Sequence, residues 1–368
     1  MTQIELLQKT GYRRVGSPKR GFRFQGAPKR ELQRFHSLGL PPAWTDVAVS
    51  RNPNAKLLAV GKDKKGRWQY RYSAAAVRHR EAKKYDKLIH FGAALPKLRK
   101  AIDQGLRQQG LGREQVMACI LRILSTCFMR PGSQVYAKEN GSFGIATLQN
   151  RHATVSGDTV RFQYRGKSGK DQDRLLRDRR VARVVRALKK LTGKDLFQYV
   201  AEDGTIVNIR RRHINDYIKE VMGERFSAKD FRTWAGTLIA ACALARMHSS
   251  GEIVEGRTDR RKMMVAAVKE TAAQLGNTPA VCKASYIWPS VLHSFEKGTV
   301  LTSYYKTMEE LIEHRSRGQH AAEKALLELL KTGRSAAPGA ARRRESKLSR
   351  RMRKDPKTRR LAKAFTVH

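Results

Sequence analysis

Five short stretches of this chain carry side chains of types and spacings that can hold an anion or attack one. In NTPAVCKASY (277–286) an asparagine opens the segment and a tyrosine closes it nine residues later. Tyr286 is either a core neighbour of Asn277 or a nucleophile beside a hydrogen-bond donor; a phenol of pKa about 10 must lose its proton to attack. Gly276 reads as the glycine that ends one helix, and Thr278-Pro279 as the N-cap and first position of the next, which pins Asn277 in a tight turn. SAKDFRTWAG (227–236) reads as a helix start, with Ser227 as N-cap and Asp230 completing a capping-box pattern. Lys229 and Arg232, three apart, share a face near that N-terminus, where peptide dipoles already favour anions; a solvated basic face would look the same. FMRPG (128–132) ends an apolar helix on Arg130, either a guanidinium held rigidly or a cation complementing the helix dipole. RGKSGK (165–170) contains GKS, but Arg161 stands where a phosphate-binding P-loop needs its first glycine, and a strand follows instead of a helix. That excludes ATP at this loop and leaves a Lys-Gly hairpin around Lys167. In RWQYRYS (67–73), Arg67, Gln69 and Arg71 alternate with Trp68, Tyr70 and Tyr72. Interleaved basic and aromatic groups suit nucleic-acid contact, and equally an ordinary half-buried strand.

The elements that must position these residues follow from the pattern of the whole chain. Its 368 residues carry 76 Lys and Arg against 32 Asp and Glu, a formal charge of +44. That excess predicts a polyanionic partner, DNA or RNA first. No run of 18 apolar residues could span a membrane, and MTQIELLQKTGYRRVG lacks the apolar core of a secretory signal. Cys119, Cys127, Cys242 and Cys282 are scattered without a CxxC and read as reduced core residues. The ten histidines show no metal spacing, so no metal is expected. Residues 1–35 read as irregular, and 44–72 as short strands of a small β-rich domain. A charged, helix-prone stretch (73–86) connects it to a mostly helical region interrupted by a three-stranded antiparallel sheet over 152–176. Helical segments are expected at about 178–192, 209–222, 228–246, 259–275 and 279–296. The domains are therefore expected at 1–85, 86–320 and a basic, disordered tail over 321–368, the tail adding only salt-sensitive affinity.

Taken together and in this order, the motifs resemble the type IB DNA topoisomerases of the poxvirus and bacterial branch. That family has an Arg after a helix, a Lys in a GKSG hairpin, an Arg in KDxRT, a His or Asn in [HN]TP, and a Tyr nine residues after it. The matching residues are Arg130, Lys167, Arg232, Asn277 and Tyr286. YAKENGSFGIATLQNRH (136–152) looks like the family's DNA-contacting segment and WQYRY like its N-terminal contact strand, so the similarity covers about residues 12–315. It implies DNA contacts at Lys229, Arg67, Gln69, Tyr70, Tyr72, Tyr136 and Asn140. The superfamily's general pattern has His where this chain has Asn277, which matches the bacterial subgroup. Ser133 and Val135 replace lysines of the poxvirus pattern, so its strict target-site preference is not expected here.

The resemblance implies an α+β fold: a small N-terminal antiparallel β domain plus a larger, mainly helical catalytic domain with a three-stranded sheet, the fold shared by tyrosine recombinases and type IB topoisomerases. It implies a monomer that closes around double-stranded DNA in the bacterial cytoplasm, on the nucleoid, without ATP, metal or other cofactor. Tyr286 would attack a phosphodiester, Arg130, Arg232 and Asn277 would hold the nonbridging oxygens, and Lys167 would protonate the leaving 5′ oxygen, with Lys229 in support. A tyrosine recombinase is the nearest alternative, but such enzymes carry His three residues before the second Arg, where this chain has Lys229. A nonenzymatic packaging protein explains the charge and not the ordered motifs.

Overall fold

The computed structural model describes residues 1–250, 257–313 and 317–332. The chain divides between Asp86 and Lys87 into two compact units. In the first, helix α1 (Gln3–Thr10) precedes the hairpin β1 (Tyr12–Ser17) and β2 (Gly21–Phe24), helix α2 (Leu32–Ser37), and strands β3 (Thr45–Val49), β4 (Leu57–Lys62) and β5 (Trp68–Tyr72). The strands form one antiparallel sheet in the order β2-β1-β3-β4-β5. Period-two alternation splits its two cores. Ala48 and Val60 face Leu7 of α1, with Trp68 beside them, while Val49 and Ala59 face Phe35 of α2.

The first 35 residues are therefore not irregular, as their composition suggested. Thr2 and Glu5 cap α1 reciprocally: the Thr2 N–H donates to Glu5 Oε2 at 2.8 Å, and the Glu5 N–H to Thr2 Oγ1 at 3.2 Å. Gly21, at φ 78°, makes the turn into β2 possible.

Helix α3 (Ala74–Arg107) runs unbroken through the stretch expected to be a connector, and carries Pro96 in its interior. Proline removes a helical donor and strands the carbonyl one turn back. That carbonyl, Gly92 O, accepts instead from Gln319 Nε2 at 2.7 Å. The second unit continues with α4 (Arg113–Cys127), α5 (Gln134–Asn140), strands β6 (Ala153–Ser156), β7 (Thr159–Arg165) and β8 (Asp171–Arg177), and α6 (Arg179–Leu188). A hairpin of β9 (Gln198–Val200) and β10 (Ile206–Asn208), which the sequence pattern did not reveal, leads to α7 (Arg211–Met222) and α8 (Ala228–Ser249). Then come α9 (Arg257–Leu275), α10 (Pro279–Ser285), α11 (Pro289–Glu296), α12 (Met308–Glu313) and α13 (Ala321–Thr332). Strands β6, β7 and β8 form the expected three-stranded antiparallel sheet.

Helices α4 and α8 are buried on nearly every face and form the centre of this unit. The boundary of the C-terminal tail moves. Residues 321–332 are not tail but α13, whose Leu326 and Leu330 are buried and whose Glu323 pairs with Arg99 at 2.6 Å. The basic stretch from 333 to 368 lies outside the described residues. The helix expected over 279–296 is two helices, because Pro289 cannot donate to the preceding turn. That break puts Tyr286 at an interhelical joint.

Candidate active site

Helix α4 ends on Phe128, a non-glycine residue in the left-handed region at φ 52°, ψ 33°. This conformation costs about 1–3 kcal/mol and has to be held by its surroundings. The turn aims the Phe128 carbonyl at Arg232, whose Nη1 donates to it. Two residues on, the Arg130 carbonyl accepts from the Ile145 N–H at 2.9 Å and the Pro131 carbonyl from the Ala146 N–H at 3.0 Å. The backbone under Arg130 is thus tied down, and its guanidinium donates to Gly276 O at 3.2 Å and to Asn277 Oδ1.

Arg232 lies on the second turn of α8 and is 2% exposed. The start of that helix is fixed by Asp230, which accepts from the Ser227 N–H at 2.8 Å and pairs with Lys87 at 2.6 Å. A second Arg232 donor, Nη2, reaches Leu275 O at 2.9 Å, while Nε is buried without a partner. Burial and the neighbouring Arg130 pull the Arg232 guanidinium down to about 10, so it keeps its charge at neutral pH.

The turn between α9 and α10 is a Schellman closure. The Gly276 N–H donates to Ala273 O at 3.1 Å and the Asn277 N–H to Ala272 O at 2.9 Å, with Gly276 at φ 60°. Glycine suits the positive φ of this turn, and a Cβ here would lie 2.6 Å from Gln172 Oε1 and 2.9 Å from an Arg174 nitrogen, so those side-chain ends would have to shift. Arginine can only donate, so the Asn277 atom facing Arg130 is the oxygen. Its Nδ2 is then left buried with no acceptor. A buried donor without a partner costs about 1–3 kcal/mol, which a bound oxyanion would return.

Tyr286 follows the last turn of α10, half-buried, with the Arg232 guanidinium 4.8 Å from its ring centre. Burial alone would raise its pKa; the charge and hydrogen bonding of Arg232, then the charges of Arg130 and Lys229, outweigh that and leave it lowered.

Four of the five expected catalytic residues therefore meet. Arg130 touches Asn277, Arg232 stands over Tyr286, and both arginines are tied to the α9–α10 turn. Lys167 is not drawn in: it is exposed at the tip of the β7–β8 hairpin, beside Ser168 at φ 64°. The base of that hairpin does reach the site, through Gln172 and Arg174 against Gly276. Lys229 is exposed on the first turn of α8, close enough to act on Tyr286 electrostatically. Tyr136 and Asn140 are exposed on the short helix α5. In the first unit, Arg67 and Gln69 both donate to Asp63, at 2.6 and 2.9 Å. Tyr70 and Tyr72 stack at 5.9 Å between ring centres, and Arg80 lies 4.0 Å from the Tyr72 ring centre.

Arg174 is a site residue that the motifs do not reveal. It pairs in register with Phe162 on β7 and shares the inward face of β8 with Gln172 and Leu176. Its charge acts on Arg232, Tyr164 and Cys127. The available signal was a cation at an inward position of an alternating strand.

Among the described residues, no cluster of three or more His, Cys, Asp or Glu could hold a metal ion, and no helix is long and apolar enough to cross a membrane. All four cysteines are buried and free.

The antiparallel N-terminal sheet and the helical unit with its small three-stranded sheet match the fold class of the type IB enzymes. Residues 73–311 match the family model described as eukaryotic DNA topoisomerase I, catalytic core, and residues 24–63 that of the bacterial DNA topoisomerase IB N-terminal domain. The DNA topoisomerase 1B of Acanthamoeba polyphaga mimivirus is 34% identical over 291 residues, 78% of this chain and 84% of that protein. The DNA topoisomerase 1B of Vaccinia virus (strain Copenhagen) is 24% identical, over 73% of this chain and 83% of its own length. The DNA topoisomerase 1 of rabbit fibroma virus is 25% identical, over 69% of this chain and 78% of its own length. The chain belongs to the type IB DNA topoisomerases, enzymes of the isomerase class. Neither the recombinase nor the packaging-protein alternative gains support from these matches.

Proposed function

We propose that Tyr286 relaxes supercoiled DNA by cutting and resealing one strand through a phosphotyrosine. The Tyr286 oxygen, its proton lost to solvent under the influence of Arg232, attacks a backbone phosphorus in line. The bond from phosphorus to the 5′ oxygen breaks, and the 3′ phosphate stays on the tyrosine. Because one ester replaces another, the bond energy is conserved for religation and ATP is not required. Charge grows on the nonbridging oxygens, where Arg130, Arg232 and the Asn277 Nδ2 donor supply rigid, preorganised hydrogen bonds. The chain's own cations thus do the electrostatic work of phosphoryl transfer.

Lys167 gives a proton to the leaving 5′ oxygen when its hairpin folds over the bound duplex, and Lys229 supports it. The free 5′ end then turns about the intact strand until torsion is spent, and its hydroxyl attacks back. Lys229, Tyr136, Asn140, Arg67, Gln69, Tyr70 and Tyr72 contact the double-stranded DNA, mostly at phosphates. The enzyme acts as a monomer in the bacterial cytoplasm, on the nucleoid.

The observation that carries this reading is the stranded Asn277 Nδ2 beside two arginines and a tyrosine of lowered pKa. Incubation with supercoiled plasmid in chelator, without ATP, tests it. Wild type should yield a ladder of relaxed topoisomers and Tyr286→Phe none; relaxation by the Phe variant would remove Tyr286 from this role.

A further inference from the structure

Tyr286 can serve as a nucleophile only if its backbone is held still, and the joint that carries it is poorly suited to holding itself. Tyr286 and Trp288 lie between the end of α10 and the start of α11. The Tyr286 N–H still closes the last turn of α10, onto Cys282 O at 2.9 Å. Its carbonyl lies beyond the last residue of α10 and the Trp288 N–H precedes the first turn of α11, so neither belongs to a helical ladder.

Both groups converge on one hydroxyl. Thr237 Oγ1 lies 3.1 Å from Tyr286 O and accepts from the Trp288 N–H at 3.2 Å. It also lies 2.9 Å from Thr233 O, the carbonyl one turn back in its own helix. A hydroxyl has one proton. Thr233 O already serves the α8 ladder, so the bond to Tyr286 O is the one that gives a partner to a carbonyl outside any helical ladder. The residue before it completes the seat. A Cβ on Gly236 would stand 2.8 Å from Tyr286 O and 3.0 Å from Tyr286 Cβ, closer than packed atoms approach. Gly236 and Thr237 follow Arg232 by one turn on α8. One helix therefore carries both the guanidinium that stands over the phenol and the seat that fixes the phenol's backbone.

We infer that Gly236 and Thr237 are positioning residues for the cleavage step: the Thr237 hydroxyl and the bare Cα of Gly236 lock the Tyr286 joint to α8 and so set the distance from the nucleophile to Arg232. This rests on the reading of Tyr286 as nucleophile.

The test is single-turnover cleavage of a suicide duplex from pH 6 to 10 by wild type, Thr237→Val, Thr237→Ser, Gly236→Ala and Tyr286→Phe, with duplex affinity and melting temperature measured alongside. Valine keeps the shape and removes the hydroxyl. A nucleophile displaced by a fraction of an ångström loses about 10- to 100-fold in rate. Thr237→Val and Gly236→Ala should lose this much with affinity unchanged, and Thr237→Ser should retain most of the rate. In Thr237→Val the rise of rate with pH should also move to higher pH, because a slack joint weakens the hold of Arg232 on the phenol. Wild-type rates in Thr237→Val overturn the inference. So does an equal loss in valine and serine variants, or a loss that follows the melting temperature with an unmoved pH profile. A covalent adduct in Tyr286→Phe defeats the nucleophile assignment itself, whatever Thr237 does.

Discussion

Replacing Asn277 by Asp, Ala or His separates the two ends of one amide. In the free enzyme Oδ1 accepts from Arg130 and Nδ2 is buried and unpartnered. Asp keeps the acceptor and turns the donor into a second oxygen, in a site that holds Arg130 and Arg232. Without DNA this carboxylate should pair with arginine, remove the stranded donor and raise the melting temperature. With DNA it faces the nonbridging oxygens with like charge. Alanine removes the donor and leaves Arg130 its bond to Gly276 O. Loss of one preorganised oxyanion donor costs about 10²–10³ in rate, or 2.7–4 kcal/mol. Asn277→Ala should therefore cleave about 10²–10³-fold slower, and Asn277→Asp slower still despite its greater stability. Asn277→His should keep much of the activity through a ring N–H and gain a titration near its pKa, about 6.5 if unperturbed. Single-turnover cleavage of a suicide duplex from pH 5 to 9, with melting curves of the free proteins, reads all four. Wild-type rates in Asn277→Ala would make Asn277 a turn residue only, and Asp outperforming Ala would refute the donor argument.

The lowered pKa of Tyr286 means that the wild-type cleavage rate should rise with pH and level off below pH 10; Lys229→Ala, which removes one of the charges lowering it, should move that rise to higher pH, and an unmoved profile would exclude the contribution. Asp63 is held at about 2 chiefly by its hydrogen bond from Arg67, and it also takes Gln69. Asp63→Asn should therefore release a cation for phosphate, giving tighter duplex binding with a steeper salt dependence in a filter-binding titration. Truncation after Thr332 removes thirteen Lys and Arg against two acids, and should weaken binding and flatten its salt dependence while leaving cleavage per bound complex unchanged. Truncation before Ala321 removes the buried Leu326 and Leu330 of α13 along with the partner of half-buried Arg99, and should cost at least about 4 kcal/mol in denaturant unfolding, since each buried leucine lost is worth about 2–5 kcal/mol.

The linear motifs by themselves make the chemistry legible. Gly276 and Thr278-Pro279 announce the turn at Asn277, and Ser227 with Asp230 announces the start of α8, because capping and turn preferences act within a few residues. What sequence hides is long-range. The orientation of the Asn277 amide depends on Arg130, far away along the chain. The seat of Tyr286 depends on Gly236 and Thr237, whose own segment reads only as an apolar helix. Arg174 is hidden because a charged residue in a polar strand reads as solvent-facing, although the register with β7 turns it inward. The order within residues 1–35 is masked by their charge and glycine content, which local capping and a sheet partner overcome.

In the proposed reaction the oxygen of Tyr286 becomes the carrier of the cut strand. The direct measurement is to trap the enzyme on a suicide duplex labelled on the strand 5′ of the nick, digest the adduct with protease and sequence the labelled peptide by mass spectrometry. A single nucleotide-bearing peptide within 277–297 is expected, with the 3′ phosphate on Tyr286, formed without ATP or metal. A phosphate carried by any other residue, or a 5′-linked adduct, would contradict it.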